Sequence, residues 1–179
     1  MGGARVRRII GPAAITQDEA VEKIRMGSYF ATQNPIFLTE IVPALWTAGR
    51  LYSIDQVGMI AQSWKETGGG NFRGAVKPEM CNTCGLKIRT PGFVPGTAGD
   101  ETLAHQIFPT WEVGAIAQAQ HLRGYSGWAV PDHIPMQSGR YQYVIGKWRC
   151  ETWTDLGGKW APSLTYGQEI EAIMSQILA

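Results

Sequence analysis

Apolar residues recur at helical spacing in five stretches of the chain, and polar or glycine-rich segments separate these stretches. An apolar residue every three or four positions is typical of a helix with one buried face. We therefore predict five helices, which lie at residues 17–27, 37–49, 56–67, 111–123 and 166–177.

Side chains that cap helices mark several of these boundaries. Thr16 with Glu19 and Ser53 with Gln56 have the spacing of capping boxes, and Thr110 has the residue type of an N-cap. Glycines at 68–70 are typical of a helix C-terminus. Residues 152–155 predict one further short turn, which ends at the glycines at 157 and 158.

Two long segments, 68–108 and 124–150, have no helical period. A connection of about 40 residues exceeds ordinary loop lengths, so the first segment predicts a small lobe with short strands. The expected fold class is α+β and mainly α, with a helical lobe and a small irregular or β lobe. Residues 1–15 are expected to form a flexible arm, and residues 16–179 a single domain.

Glu66 is the acidic side chain that this pattern places in an unusual position. It lies at the predicted C-terminal end of the third helix, where unpaired carbonyl groups carry partial negative charge. Trp64 and Phe72 are close in sequence and would reduce its solvation. Both effects raise a carboxyl pKa, as a general acid near neutral pH requires. The alternative is a solvated glutamate at a helix end.

Composition excludes some classes of partner. The net charge is +1 and no long basic run occurs, so a nucleic-acid partner is not expected. No apolar stretch has the length of a transmembrane helix, so membrane insertion is not expected. Seven tryptophans suit either core packing or stacking against sugar rings.

Three cysteines cannot form a complete disulfide framework. Cys81 and Cys84 form one CxxC pair, and Cys150 with His105, His121 or His133 would have to complete a zinc site. None of these residues shows a second paired ligand spacing. We predict free or structural thiols, no metal site and no cofactor.

The segments AQSWKETG at 61–68 and NTCGLK at 82–87 resemble motifs of the bacterial and phage glucosaminidase domains of glycoside hydrolase family 73. Those domains carry an A-Q-x-x-x-E-T-G helix end and an N-N-x-x-G-[IL] loop. The similar segments keep the same order and span roughly residues 16–178. They are AQSWKETG at 61–68, VKPE at 76–79, NTCGLK at 82–87, FPTWEVG at 108–114, AQAQHL at 117–122, TWTDLGGKWA at 152–161 and YGQEI at 166–170.

The resemblance implies a lysozyme-like fold with a sugar-binding groove between two lobes. It also implies hydrolysis of the β-1,4 bond after N-acetylglucosamine in peptidoglycan. The family's acid corresponds to Glu66 and its tyrosine near the last helix to Tyr166. The chain departs from the family pattern at 162–165, where the usual Asp-Pro is missing, and at Cys81 and Cys84, where Asn and Phe are usual.

The predicted substrate-binding residues belong to the same motifs: Asn82, Gly85, Lys87, Trp111 and Trp160. For the first three residues the alternative is a purely structural role in the loop. For the two tryptophans the alternative is core packing.

A second catalytic carboxylate is harder to place. Glu101, next to Asp100, has the most suitable position along the chain, and Glu79 and Asp132 are further candidates. Glycosidases usually pair an acid with a nucleophile or a base, although some use the 2-acetamido group of the substrate.

The sequence thus predicts a monomeric peptidoglycan hydrolase that binds glycan strands of the bacterial cell wall. No clear signal peptide is recognised, so the expected source is a phage, with the protein released by the host lysis machinery or carried in the virion. A muramidase or lytic transglycosylase and a non-catalytic cell-wall or virion module are the alternatives.

Overall fold

The computed structural model describes residues 6–88 and 104–179, and it is mainly helical, as the sequence predicts. The α-helices are α1 Gln17–Met26, α2 Val42–Tyr52, α3 Gln56–Thr67, α4 Trp111–Ser126 and α5 Tyr166–Leu178. Short 3-10 turns lie at Ser28–Phe30, Pro78–Met80, Gly139–Tyr143 and Trp153–Leu156, and a π-helical turn at Phe37–Ile41. Within the described ranges, strand pairing is limited to isolated bridges.

Helix caps follow the prediction in part. Thr16 and Glu19 form the expected capping box of α1, and the Thr110 side chain accepts a hydrogen bond from the backbone at the start of α4. The predicted Ser53 box is wrong. Asp55 caps α3 instead, accepting from two backbone N–H groups, while Ser53 ends α2 in a left-handed conformation.

Two helices extend beyond the ends that the sequence predicts. Helix α2 continues past Gly49 to Tyr52, and α4 continues past Arg123 to Ser126. Gly49 is buried within α2, where the side chain of Gln56 and the carbonyl of Ile54 leave no room for a Cβ. A glycine that fits a crowded contact has the same sequence signature as a glycine that ends a helix.

One large hydrophobic core joins the helices. Helix α2 packs against α4, and α3 packs against α5 and the turn at Trp153. Trp153 is fully buried in this core. Helix α3 is buried along most of its length rather than on one stripe, which fixes the position of its C-terminal end in the molecule.

A second, smaller cluster contains Cys84, Leu86, Phe108 and Ala117. It joins the segments at 77–88 and 104–110 to one face of α4. A Cβ at Gly114 would lie 1.9 Å from the backbone oxygen of Cys81, so only glycine permits this close approach. These segments therefore form a small irregular lobe against α4.

Residues 6–15 are packed against the domain rather than forming the expected free arm. Ile9 is fully buried, its N–H donates to the Glu151 carbonyl, and its own carbonyl accepts from Asp55. Residues 1–5 lie outside the described ranges. Among the helices that the structure describes, none has both the length and the hydropathy required to cross a bilayer.

Candidate active site

Glu66 occupies the last turn of α3, where Gly68 ends the helix in a left-handed conformation. It is partly buried at the wall of a groove of about 720 Å³, a volume within the usual range of ligand pockets. The segment at 84–87 contributes one part of the groove and Trp160 another. The predicted helix end thus brings its carboxylate to the wall of this groove.

The side of Glu66 that faces the core is held by Tyr166, the first residue of α5. The Tyr166 hydroxyl donates to Oε1 of Glu66 and accepts from Nε2 of Gln62, 3.1 Å away. Tyr166 is only 3% exposed and does not line the groove. Tyr166 therefore contacts the Glu66 carboxylate from the core side. It does not reach the groove, so it cannot contact a substrate bound there.

The pKa of Glu66 is raised above its ordinary value. Burial is the main cause, because it penalises the charged form. The hydrogen bond from Tyr166, the charge of Lys65 and a hydrogen bond from the Trp160 side chain act in the opposite direction. The upward shift of the Glu66 pKa agrees with the sequence-based expectation for a general acid.

Three predicted substrate-binding residues line the groove with Glu66: Gly85, Lys87 and Trp160. Gly85 has a φ of +67°, a region that favours glycine, and a Cβ there would lie 3.7 Å from Oε2 of Glu66. This backbone conformation brings the small lobe against the carboxylate.

The other two predicted binding residues do not line the groove. Asn82 is fully buried, and its amide donates to the carbonyls of Leu86 and Gln106 at 2.9 Å. Asn82 thus holds the loop that carries Gly85. Trp111 packs on Phe72, with ring centroids 5.6 Å apart.

Glu66 is the only carboxylate among the described residues that line the groove. Glu79 and Asp132 are exposed elsewhere on the surface. Glu101 and Asp100 lie outside the described residues, so the prediction for Glu101 remains a prediction.

Groove-lining cations outnumber this carboxylate. Lys87, Arg140 and Lys159 line the described groove. Arg140 forms no ion pair with a described carboxylate. An anionic substituent on a bound polymer would therefore meet a guanidinium in the same groove as the acid.

His121 forms part of the same groove and makes edge contacts with the rings of Tyr125 and Trp160. It is 1% exposed, and neither ring nitrogen has a hydrogen-bond partner within the described ranges. Burial, followed by the charge of Arg140, lowers the pKa of His121 to about 3, so its imidazole is neutral at physiological pH. The sequence suggested a satisfied core histidine. The burial agrees with that interpretation, whereas the unpaired nitrogens do not.

The cysteines are free thiols. Cys84 is buried at the groove wall, where burial and then the charge of Glu66 raise its pKa. Within the described ranges, no group of three or more His, Cys, Asp or Glu side chains is arranged to hold a metal ion.

Sequence reasoning missed two glutamines behind Glu66. Gln62 lies one helical turn before Glu66 on the same face of α3. Gln118 of α4 donates a hydrogen bond to Oε1 of Gln62 at 2.9 Å. The four-residue separation of Gln62 and Glu66 was a usable signal. Nothing local to residues 117–122 indicated the contact of Gln118 with α3.

No protein-family model matches this chain, and no curated protein is significantly similar to it.

Proposed function

We propose that the chain is a peptidoglycan hydrolase that cleaves the β-1,4 bond after N-acetylglucosamine and adopts a lysozyme-like arrangement. One observation carries the proposal: a partly buried glutamate with a raised pKa lies at the wall of an open groove between the helices and a small lobe. The motif resemblance around residues 61–68 and 82–87 supports the substrate class.

In the proposed reaction, Glu66 donates its proton to the glycosidic oxygen as the bond from that oxygen to C1 breaks. The bond's electron pair remains on the leaving oxygen, and Glu66 becomes a carboxylate. The carbonyl oxygen of the substrate's 2-acetamido group then bonds to C1. Water subsequently attacks C1, opens the resulting ring and returns a proton to Glu66.

The use of the acetamido group is favoured because the described groove wall contains no second carboxylate. The same observation favours a lytic transglycosylase as the second candidate. In that reaction, a hydroxyl of the sugar itself replaces water and produces an anhydro end.

The groove cations suit the bacterial cell wall as the site of action. Peptidoglycan carries carboxylates on its peptide substituents, and Arg140 and Lys159 lie on the groove wall with Glu66. An arginine matches the planar geometry of a carboxylate.

Digestion of purified cell walls followed by borohydride reduction and mass spectrometry tests the proposal. We expect new reduced N-acetylglucosamine ends with the wild-type protein and none with Glu66→Gln. Reduced N-acetylmuramic acid ends would indicate a muramidase, and anhydro ends a transglycosylase. Unaltered walls would contradict a catalytic function and favour a binding module.

A further inference from the structure

A line of buried hydrogen bonds connects the small lobe to Glu66 through α4, α3 and α5. Thr83 Oγ1 donates to Gln118 Oε1 at 2.6 Å, and Gln118 Nε2 donates to Gln62 Oε1 at 2.9 Å. Gln62 Nε2 donates to the Tyr166 hydroxyl at 3.1 Å, and this hydroxyl donates to Glu66 Oε1. Every donor in the line points towards Glu66.

One backbone carbonyl determines this direction. Gln118 Nε2 also donates to the carbonyl oxygen of Met59, 3.3 Å away. A carbonyl oxygen only accepts, so the NH₂ group of Gln118 must face α3. Gln62 must then present its oxygen to Gln118 and its own NH₂ group to Tyr166. The amide orientations are therefore fixed by the network.

This orientation of the two amides determines which hydrogen bond the Tyr166 hydroxyl donates. Its oxygen accepts from Gln62, and among the described residues the acceptor for its proton is Glu66 Oε1. Burial, and then the charge of Glu66, raise the pKa of Tyr166 well above its ordinary value, so the donor proton stays in place. Oε1 is therefore occupied as an acceptor.

The second carboxylate oxygen, Oε2, is the one near Gly85, whose Cβ position is 3.7 Å away. Gly85 lines the groove. We propose that Gln118 and Gln62 are positioning residues: they hold the Tyr166 hydroxyl as a donor to Oε1, so that the acidic proton of Glu66 resides on Oε2, at the groove.

The use of that proton in glycoside cleavage rests on the proposed function, whereas its placement does not. The other groups that face Glu66 are Lys65 of its own helix, the Cys84 thiol of the loop and the Trp160 side chain. Neither Lys65 nor Cys84 provides a carboxylate that would compete for the Tyr166 proton.

The pKa of Glu66 can be measured by ¹³C NMR of labelled glutamate carboxyl groups, with Glu66→Gln for assignment. In Gln118→Met the amide of Gln62 is free to turn its oxygen towards Tyr166 and take the hydroxyl proton. The Glu66 carboxylate then loses a donor, and its pKa should rise by roughly 0.5–1 unit.

Gln120→Met is the matched control. Gln120 is a buried glutamine of the same helix, and its amide donates to the Tyr52 hydroxyl at 2.8 Å and to the Pro135 carbonyl at 2.9 Å. This variant should lose stability without moving the pKa of Glu66. An unchanged pKa in Gln118→Met, or equal shifts in both variants, would overturn the proposal.

The wild-type protein provides a measurement that does not depend on a variant folding. Nuclear Overhauser effects should connect the side-chain amide protons of Gln62 to the ring of Tyr166. If those protons are near Gln118 instead, the direction is reversed and the proposal is wrong.

Cell-wall lysis distinguishes this proposal from the proposed function. A general acid works while protonated, so the alkaline limb of the pH profile should move upwards with the NMR pKa in Gln118→Met. A shifted pKa in Gln118→Met, together with cell walls that stay intact with the wild-type protein as well as the variants, supports the hydrogen-bond network and refutes the hydrolase.

Discussion

The two sides of the Glu66 carboxylate differ in how well their polar groups are paired. Behind it, the side chains of Tyr166, Gln62 and Gln118 form hydrogen bonds with one another or with the backbone. On the groove side, both ring nitrogens of His121 lack a partner within the described ranges, and Arg140 has no ion pair there.

This difference separates a structural role from a binding role. A buried polar group without a partner typically costs about 1–3 kcal/mol, and a bound molecule or water can recover part of this cost. The rear network has little to gain from a ligand because its groups are already paired. The groove side has unused hydrogen-bonding capacity and charge, as expected where a polar ligand binds.

Glu66→Gln should give the largest effect because it removes the acidic proton of the Glu66 carboxyl group, which the proposed reaction requires. We expect wall-lysis activity to fall by about 10²–10⁴-fold, the usual contribution of general acid catalysis. The folded-state pKa of Glu66 is raised, so its ionisation removes stability as the pH rises through that pKa. The variant should therefore have a higher Tm than the wild type at pH 7 but not at pH 4. A loss of activity below fivefold would contradict the assignment.

Tyr166→Phe tests the rear side alone. Without the hydroxyl donor we expect a loss of activity of roughly 10–100-fold, since a hydrogen bond to a charged group contributes about 1.5–3 kcal/mol. Tyr52→Phe is the control, because Tyr52 is a fully buried tyrosine that bonds to Gln120 instead.

Comparison of Tyr166→Phe with Glu101→Gln addresses the second catalytic group. We expect the milder loss in Glu101→Gln if the substrate's acetamido group acts at C1. Full activity in Tyr166→Phe together with none in Glu101→Gln would exclude the substrate-assisted mechanism and identify Glu101 as the partner of Glu66.

Arg140→Gln tests the groove side. If this guanidinium binds carboxylates of the wall polymer, KM should rise by roughly 5–10-fold with little change in kcat, as expected for uniform binding. Lys147→Gln is the control: Lys147 is an exposed cation of the same segment that lies over the Trp148 ring, outside the groove. Equal effects of the two substitutions would indicate a general loss of charge rather than a binding contact.

Asp55 shows whether a raised pKa alone identifies a site. It caps the opposite end of α3, and burial raises its pKa to about 6, with Arg7 and Glu171 the nearby charges. Asp55 therefore destabilises the fold as the pH rises from about 4 through 6. Asp55→Asn keeps the capping oxygen and should gain about 1–3 kcal/mol relative to wild type between pH 4 and pH 8 in urea unfolding. A gain that is independent of pH would contradict this assignment of the pKa.

The raised pKa of Asp55 arises far from the groove, so burial at a helix end is not sufficient evidence of catalysis. What distinguishes Glu66 is the combination of burial on one side and an open groove on the other.

Local sequence was sufficient for features that depend on neighbours along the chain. The caps at Thr16 and Thr110 and the end of α3 at Gly68 were predicted because a side chain or glycine acts on backbone groups within a few residues. Glu66 was found for the same reason. The early end predicted for α2 shows the limit, since Gly49 is required by a contact with Gln56 across a turn.

The helical periods, the acidic residue at the end of α3 and the loop that carries Gly85 and Lys87 could all be predicted from local sequence. Three features became visible only in the folded chain: Asn82 supports the loop, Tyr166 contacts Glu66 from the core side, and Gln118 donates a hydrogen bond to Gln62. The physical reason is separation along the chain: Gln118 is 56 positions from Gln62, Tyr166 is 104 positions from Gln62, and Asn82 reaches Gln106, 24 positions away, as well as its neighbour Leu86. A hydrogen bond between helices depends on how the helices pack, and that packing has no local signature in the sequence.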